Sequence, residues 1–483
     1  MALYDGTNAP LIKVYLDVGN RNAGKFILNY SLLGGSDTLG SYTPFTTLQE
    51  MPSTDVKRIS IRRGRTREDQ AIQPGDLTLV LDNTSGNYDP EFTIASTITA
   101  ASGNGSVITY TYSSATPYKA GMIVTIYGLS NANFNLSYQT IVSATSTTFT
   151  VANGYFGSTS STGAAYSGFV NGSGQTMLVS NSGIRVTATW SGVEYNLYSG
   201  FIEQMDKDLS LEPTVTITCV DGSTQLGKSF VNTDVSTLGD VDAITKILAD
   251  AGWNGSLAGS PGSYYYLGKV PTDTAQSMID IISGNQMGMF FINGSNVATW
   301  LNWNVFEPTG SSKTAKFTLS DARTSTSEIE YDSISVIGGE KYLLNTVIAS
   351  NYDSGYVAGN DPAIITEFNS ASVGRFGPVQ KEVDLYINAT TLQPTAAQDA
   401  VQALADAFAS PVYRVDEVSF ECVGFSSTLW YNFLNSCELS QVVDVVRSPI
   451  YGGTLTYNSY IQQITHDITP DSWRSSLTLS PVK

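Results

Sequence analysis

Residues 56–90 read VKRISIRRGRTREDQAIQPGDLTLVLDNTSGNYDP. Apolar and polar positions alternate in "RISIR" and again in "DLTLVLDN", the period of a strand with one apolar face. On the first strand Ile59 and Ile61 take one face and Arg58 and Arg62 the other. Asp82, Asn83, Gly86 and Asn87 accept turn conformations and Pro90 stops the ladder, so "DNTSGNYDP" reads as a closing loop. The same stretch gathers Lys57, Arg58, Arg62, Arg63, Arg65 and Arg67 in a chain whose formal net charge is −18. A basic strand in so acidic a protein needs an explanation.

At 483 residues, and roughly 100–200 residues per domain, three or four domains are expected. Hydrophobic residues make up 41% and charged ones only 14%, so Ser, Thr, Asn, Gln, Gly and Tyr must supply much of the surface. That profile suits β-rich structural assemblies. The acidic balance argues against stable nucleic-acid binding, which needs a cationic face and counterion release, and against anionic membrane surfaces. There is no apolar run of about 20 residues for a transmembrane segment. The start, "MALYDGTNAPLIKVYLDVG", lacks the basic region and apolar stretch of a leader, so synthesis and folding in a cytoplasm are expected.

Short alternating strands, "LIKVYLDV" among them, define an antiparallel β domain in residues 1–93. Residues 94–167 change texture, being almost free of charge. The strands "SVITYTYSS", "MIVTIYGL", "YQTIVSAT" and "TTFTVAN" suggest an inserted small β-sandwich or barrel. The first domain resumes over 168–232 with "GIRVTATW", "EYNLYSGFIEQMD" and "PTVTITCVDGSTQLGKS". In residues 233–330 helical spacing appears, with Val241, Ile244, Ile247, Leu248 and Ala251 on one stripe and Asp240 placed as N-cap. A second helix carries Ala275, Met278, Ile279 and Ile282, and a hairpin turning at Asn293 and Gly294 completes an α+β domain. Strands and a helix from Thr395 to Ala409 follow in 331–410, and a β-barrel-like set in 411–483. The fold class is mainly β with α+β modules, multi-domain, with barrel or sandwich domains and an inserted small β domain.

Catalytic chemistry finds little to work with. The single histidine, His466, reads as a half-exposed strand position, and no G-x-S-x-G nucleophile turn exists to join it. Cys219, Cys422 and Cys437 lack zinc-site spacing; they read as buried reduced thiols, with a Cys422–Cys437 disulfide as the alternative. Asp82, Asn83, Asn87 and Asp89 do not match an EF-hand loop, and "RRGR" does not lead into a phosphate-binding helix. Acidic clusters such as "YDPE" stand in no hydrolase motif and read as turns and strand ends. No enzyme activity, cofactor or metal is expected. Tyr88, Trp190 and Trp473 read as packing residues.

The cations Arg58, Arg62, Arg63, Arg65 and Arg67 admit two main readings. They form a solvated face balanced by Glu68 and Asp69, or an interface that meets an acidic patch on a neighbouring copy or ring. Nucleic acid passing nearby is a third.

In sequence order, "ISIRRGR", "GDLTLVLDNTSGNYDP", "LYSGFIEQMD", "VTITCVDGSTQL", "GMFFINGSNVATW", "LLNTVIAS", "ASVGRFG" and "ITHDITPDSWRSSLTLSPV" resemble the markers of siphophage minor tail proteins of the tail (baseplate) hub type. The resemblance covers nearly everything except 94–167, which looks like the small β modules of phage tail and fibre proteins. It implies a structural virion protein of the tail tip, often a homotrimer, joining the tail tube and distal tail ring to the central tip and receptor-binding proteins. The distal ring, the tape measure protein and those tip proteins are the implied partners. No catalytic residue carries over. A hexameric distal tail adaptor is the rival within the same particle. A receptor-binding reading would have Tyr110, Tyr112, Tyr127 and Phe134 of the insertion stack on host glycans.

Overall fold

The computed structural model describes residues 8–482 apart from 20–43, 69, 114–116, 209, 254, 261, 264, 286–287, 303–313, 323–324, 340–341, 392 and 412. Its chain is mainly β. The strands β1 (Leu11–Asp17), β2 (Leu48–Glu50), β3 (Val56–Gly64) and β4 (Gln73–Asp82) open it, and alternation places Ile59, Ile61, Leu77, Leu79 and Leu81 in the core with no exposure. The loop after β4 closes as its composition implied: Asn83 accepts the Tyr88 N–H, and Asp82 accepts that of Thr84.

The insertion contributes β5 (Ala95–Asn104), β6 (Val107–Ser113), β7 (Ile123–Tyr127), β8 (Gln139–Ala144), β9 (Thr148–Ala152), β10 (Phe156–Thr159) and β11 (Gly163–Ser167). Pairing in the order β5, β11, β7, β8, β9, β6 returns to β5, so six antiparallel strands close into a barrel, with β10 attached along β5. Closure removes the free edges that a small isolated sheet would expose. The barrel core holds Ile98, Ile108, Tyr110, Val124, Phe134, Phe149 and Val151.

The first domain resumes in β12 (Gly183–Trp190), β13 (Val193–Asp208) and β14 (Thr214–Val220), which pairs with β4. Helices Ser223–Lys228, Asp240–Asp250 and Ala275–Asn285 then pack with β15 (Ala258–Gly259), β16 (Met289–Ile292) and β17 (Ala298–Leu301) around a separate apolar core. Asp240 was expected as N-cap, but Gly239 occupies that position. Asp240 is wholly buried, and its carboxylate accepts the Trp300 indole N–H at 3.1 Å and the Val241 N–H at 2.9 Å.

The expected boundary at 330/331 does not separate sheets, and that at 410/411 is crossed by the pairing of Ser333–Ile337 with Arg414–Glu421. Strands β18 (Thr318–Ser320), β19 (Glu328–Glu330) and β20 (Ser333–Ile337) belong to the same 14-stranded sheet as β1 to β4, as do β24 (Arg414–Glu421), β25 (Val442–Arg447), β26 (Leu455–Thr469) and β27 (Ser472–Pro481). Of the described strands after β17, only β21 (Thr346–Asn351), β22 (Ala363–Phe368) and β23 (Gln380–Leu385) stand apart, as a three-stranded sheet backed by helix Ala396–Ala407. The joint is β26. Residues 455–460 of this strand pair with β25, and 463–468 pair with β3 along the same side. An aromatic cluster of Trp430, Phe433 and Trp473, from helix Ser427–Ser436 and β27, fills the space behind it. Tyr88, Trp190 and Trp473 are all buried. Among the described residues no helix is long and apolar enough to cross a membrane.

Candidate functional site

The basic strand sits between β4 and β26, so its charges meet acids carried by strands on either side. Lys57 pairs with Asp82 at 3.1 Å. Arg58 grips both oxygens of Asp467 at 2.7 and 2.8 Å. Arg62 Nε donates to Asp76 at 2.8 Å. Arg63 donates through both terminal nitrogens to Glu438 at 2.9 and 3.2 Å. Arg65 donates to Gln462 Oε1 at 2.8 Å, to the Gln70 carbonyl at 3.0 Å and to the Gly288 carbonyl at 3.3 Å. Arg67 lies over the ring of Tyr342, 5.4 Å from its centroid, and Arg414 approaches the same ring at 4.0 Å while pairing with Glu68 at 3.1 Å.

This arrangement corrects the interface expectation for Arg63 and Arg65. Each is only 5% exposed, so neither guanidinium can reach a neighbouring copy. Their partners are internal because β26 folds back onto β3 over nearly 400 residues of chain, bringing Gln462 with it and Glu438 from the turn ahead of β25. Arg58 and Arg62 remain about half exposed, 54% and 52% at the side chain, and each already holds an aspartate. Of the acids expected to balance the cluster, Glu68 serves Arg414, and Asp69 lies outside the described residues. Sequence reading missed Glu438, Gln462 and Asp467. Only the pairing of β3 with β26 reveals them.

Gly64 makes that pairing possible. Its φ of +111° lies in the left-handed region, and a Cβ there would fall 2.1 Å from the Gln462 carbonyl oxygen. Behind the strand, His466 is 3% exposed rather than half exposed, because β26 is covered by the helix Ser427–Ser436 cluster. Burial, with the Arg63 charge adding to it, lowers its imidazole to about 3. Trp473 Nε1 donates to its Nδ1 at 3.5 Å and Ser475 Oγ lies 2.9 Å from the same atom. An accepting Nδ1 puts the proton of the neutral ring on Nε2. Burial likewise pushes up the thiols of Cys219, Cys422 and Cys437, and all three are free, so no Cys422–Cys437 disulfide forms.

The glycan-contact expectation is also corrected. Tyr110, Tyr112 and Phe134 are core residues of the barrel, 0%, 3% and 0% exposed, and the Tyr110 hydroxyl donates to the Phe134 carbonyl at 2.8 Å. The rings of Tyr110 and Tyr112 pack on Phe149, and that of Phe134 meets Tyr155 edge-on. Tyr127 alone of the four faces outward, 60% exposed. Asn87, placed by the loop after β4, anchors the barrel: its Oδ1 accepts the Ile123 N–H at 2.7 Å and its Nδ2 donates to Gly121 O at 3.1 Å.

No family model matches the sequence, and no curated protein does. Among solved structures, the tail protein from Neisseria meningitidis MC58 shares the fold with a TM-score of 0.50 at 10% identity, over 97% of this chain and 96% of that one. The 43 kDa tail protein of prophage MuSo2 from Shewanella oneidensis is similar over 97% of this chain and 98% of its own, with a TM-score of 0.46 at 10% identity. Nearly end to end, then, this chain has the fold of a tail protein. That is the fold the order of its motifs implied.

Proposed function

We propose that this chain is a structural protein of the tip of a long non-contractile phage tail, a trimeric hub that connects the tail tube and distal tail ring to central tip and receptor-binding proteins. The observation that carries the reading is the end-to-end likeness in fold to the Neisseria meningitidis tail protein. A load-transmitting part benefits from a single continuous sheet, and here strands from both halves of the chain join through β3 and β26. The role is mechanical rather than catalytic: His466 is held neutral away from solvent, and Cys219 and Cys422 are buried thiols. The protein is made in the host cytoplasm and ends in the virion, in contact with the distal ring and the tape measure protein.

Cryo-electron microscopy of intact tail tips tests this. Three copies of the chain around the axis support the hub. Six copies would make it the adaptor ring, and absence from the particle would remove the tail assignment.

A further inference from the structure

Tyr127 ends β7 pointing outward, since its neighbour Ile126 is 1% exposed inside the barrel. In the register of β11 against β7, Tyr127 stands opposite Ala164 and Tyr166 opposite Thr125, so the two tyrosines are diagonal neighbours on paired strands. Both share the outer side, because Ala165 between them is wholly buried. The segment Asn171-Gly172-Ser173-Gly174-Gln175 runs beside them. A Cβ on Gly172 would fall 3.1 Å from Cδ2 of Tyr127, and one on Gly174 would fall 2.8 Å from Cε1 of Tyr166. The glycines therefore let each ring lie against loop backbone.

The loop itself is held in place. Asn171 Oδ1 accepts the N–H groups of Ser173 and Gln175 at 2.9 and 3.0 Å, and Asn171 Nδ2 donates to Gln175 Oε1 at 3.0 Å. Two aromatic rings are thus braced on a fixed turn, beside the exposed Ser173 and Gln175. Ordering costs that usually weaken a binding surface are met in advance by the fold. Charge is nearly absent as well: Lys119 is the only ionisable acid or base of the Asp, Glu, Lys, Arg and His kinds in residues 94–175.

We propose that Tyr127, Tyr166 and the loop 171–175 form a platform for a neutral carbohydrate. A pyranose offers apolar C–H faces that lie on aromatic rings and hydroxyls that pair with amide and hydroxyl groups. An uncharged platform cannot offset the desolvation of an ionic ligand. The proposal does not rest on the hub reading, since the platform belongs to one chain.

The test uses the purified full-length chain on an array of neutral and anionic oligosaccharides, with hits quantified by calorimetry. Binding to a neutral oligosaccharide is expected. Tyr127→Ala and Tyr166→Ala should each weaken it by on the order of tenfold with an unchanged melting temperature, while Tyr127→Phe retains it. The proposal is overturned by silence across the array, by preference for anionic glycans, or by binding that survives Tyr127→Ala. Silence of the isolated chain combined with protection of Tyr127 from hydroxyl-radical footprinting in assembled particles would identify the surface as a protein contact instead. Particle symmetry is read separately, so failure here leaves the hub reading standing.

Discussion

Arg63 and Glu438, 375 positions apart, meet in a two-pronged ion pair at 2.9 and 3.2 Å, with the arginine side chain 5% exposed and the glutamate 34%. This contact ties the first β strands to the last. Removing one partner of a buried pair strands the other charge, which costs about 3–5 kcal/mol. Glu438→Met, which leaves the buried Arg63 guanidinium unpaired, should therefore lower urea-unfolding stability by roughly that amount, and Glu438→Met with Arg63→Met should recover part of it. Arg62→Met, at a half-exposed pair with Asp76, should cost no more than about 1 kcal/mol. Equal losses from Arg62→Met and Glu438→Met would contradict a buried ion pair between Arg63 and Glu438.

Acid should weaken the fold through His466. Its folded value of about 3 lies below the ordinary 6.5, so below pH 6.5 the unfolded chain takes up a proton that the folded chain refuses. Stability falls as pH drops through that window and levels off only near the folded value. Between pH 6.5 and 5 the histidine contributes a loss of about 2 kcal/mol. Asp221 acts in the opposite sense: burial raises it to about 6, so its folded form binds a proton more readily between 3.8 and 6. Denaturant titrations of wild type and His466→Asn at pH 7 and 5 should show a flatter dependence in the variant. An unchanged slope would mean the imidazole is not held neutral.

Gly64→Ala should be among the most damaging small substitutions in the chain. It meets both a left-handed backbone and the Gln462 carbonyl, for a combined cost of roughly 3–5 kcal/mol. Melting temperature measures it. A change within error would show that β3 and β26 can separate locally without penalty.

Asn87→Ala should loosen the barrel from its base. It strips an acceptor from the buried Ile123 N–H, at about 1–3 kcal/mol. Hydrogen exchange should quicken at residues 121–123 while strands β3, β4 and β26 keep their protection. Uniform exchange across the chain would instead make the barrel and the main sheet one cooperative unit.

Much of the architecture was legible. Alternation at Ile59, Ile61, Leu77, Leu79 and Leu81 located central strands, the loss of charge after residue 93 marked an inserted module, and the stripe through Ile244, Ile247 and Leu248 marked a helix whose core is as expected. Local pattern carries this information because strand and helix periods are set within a few residues. The side-chain roles were less legible. Tyr110 and Phe134 look the same in sequence whether they line a barrel or decorate its surface, and barrel closure depends on β5 pairing with both β6 and β11.

The sequence by itself determined the β-rich class, the insertion, and the presence of a basic strand that an acidic chain must neutralise. Where the neutralising acids stand was decided by tertiary structure alone. Glu438 and Asp467 reach Arg63 and Arg58 only because β26 pairs with β3. Strand pairing over such a separation is chosen by the shared burial of two apolar faces, and no local pattern records which distant strand will supply the second face.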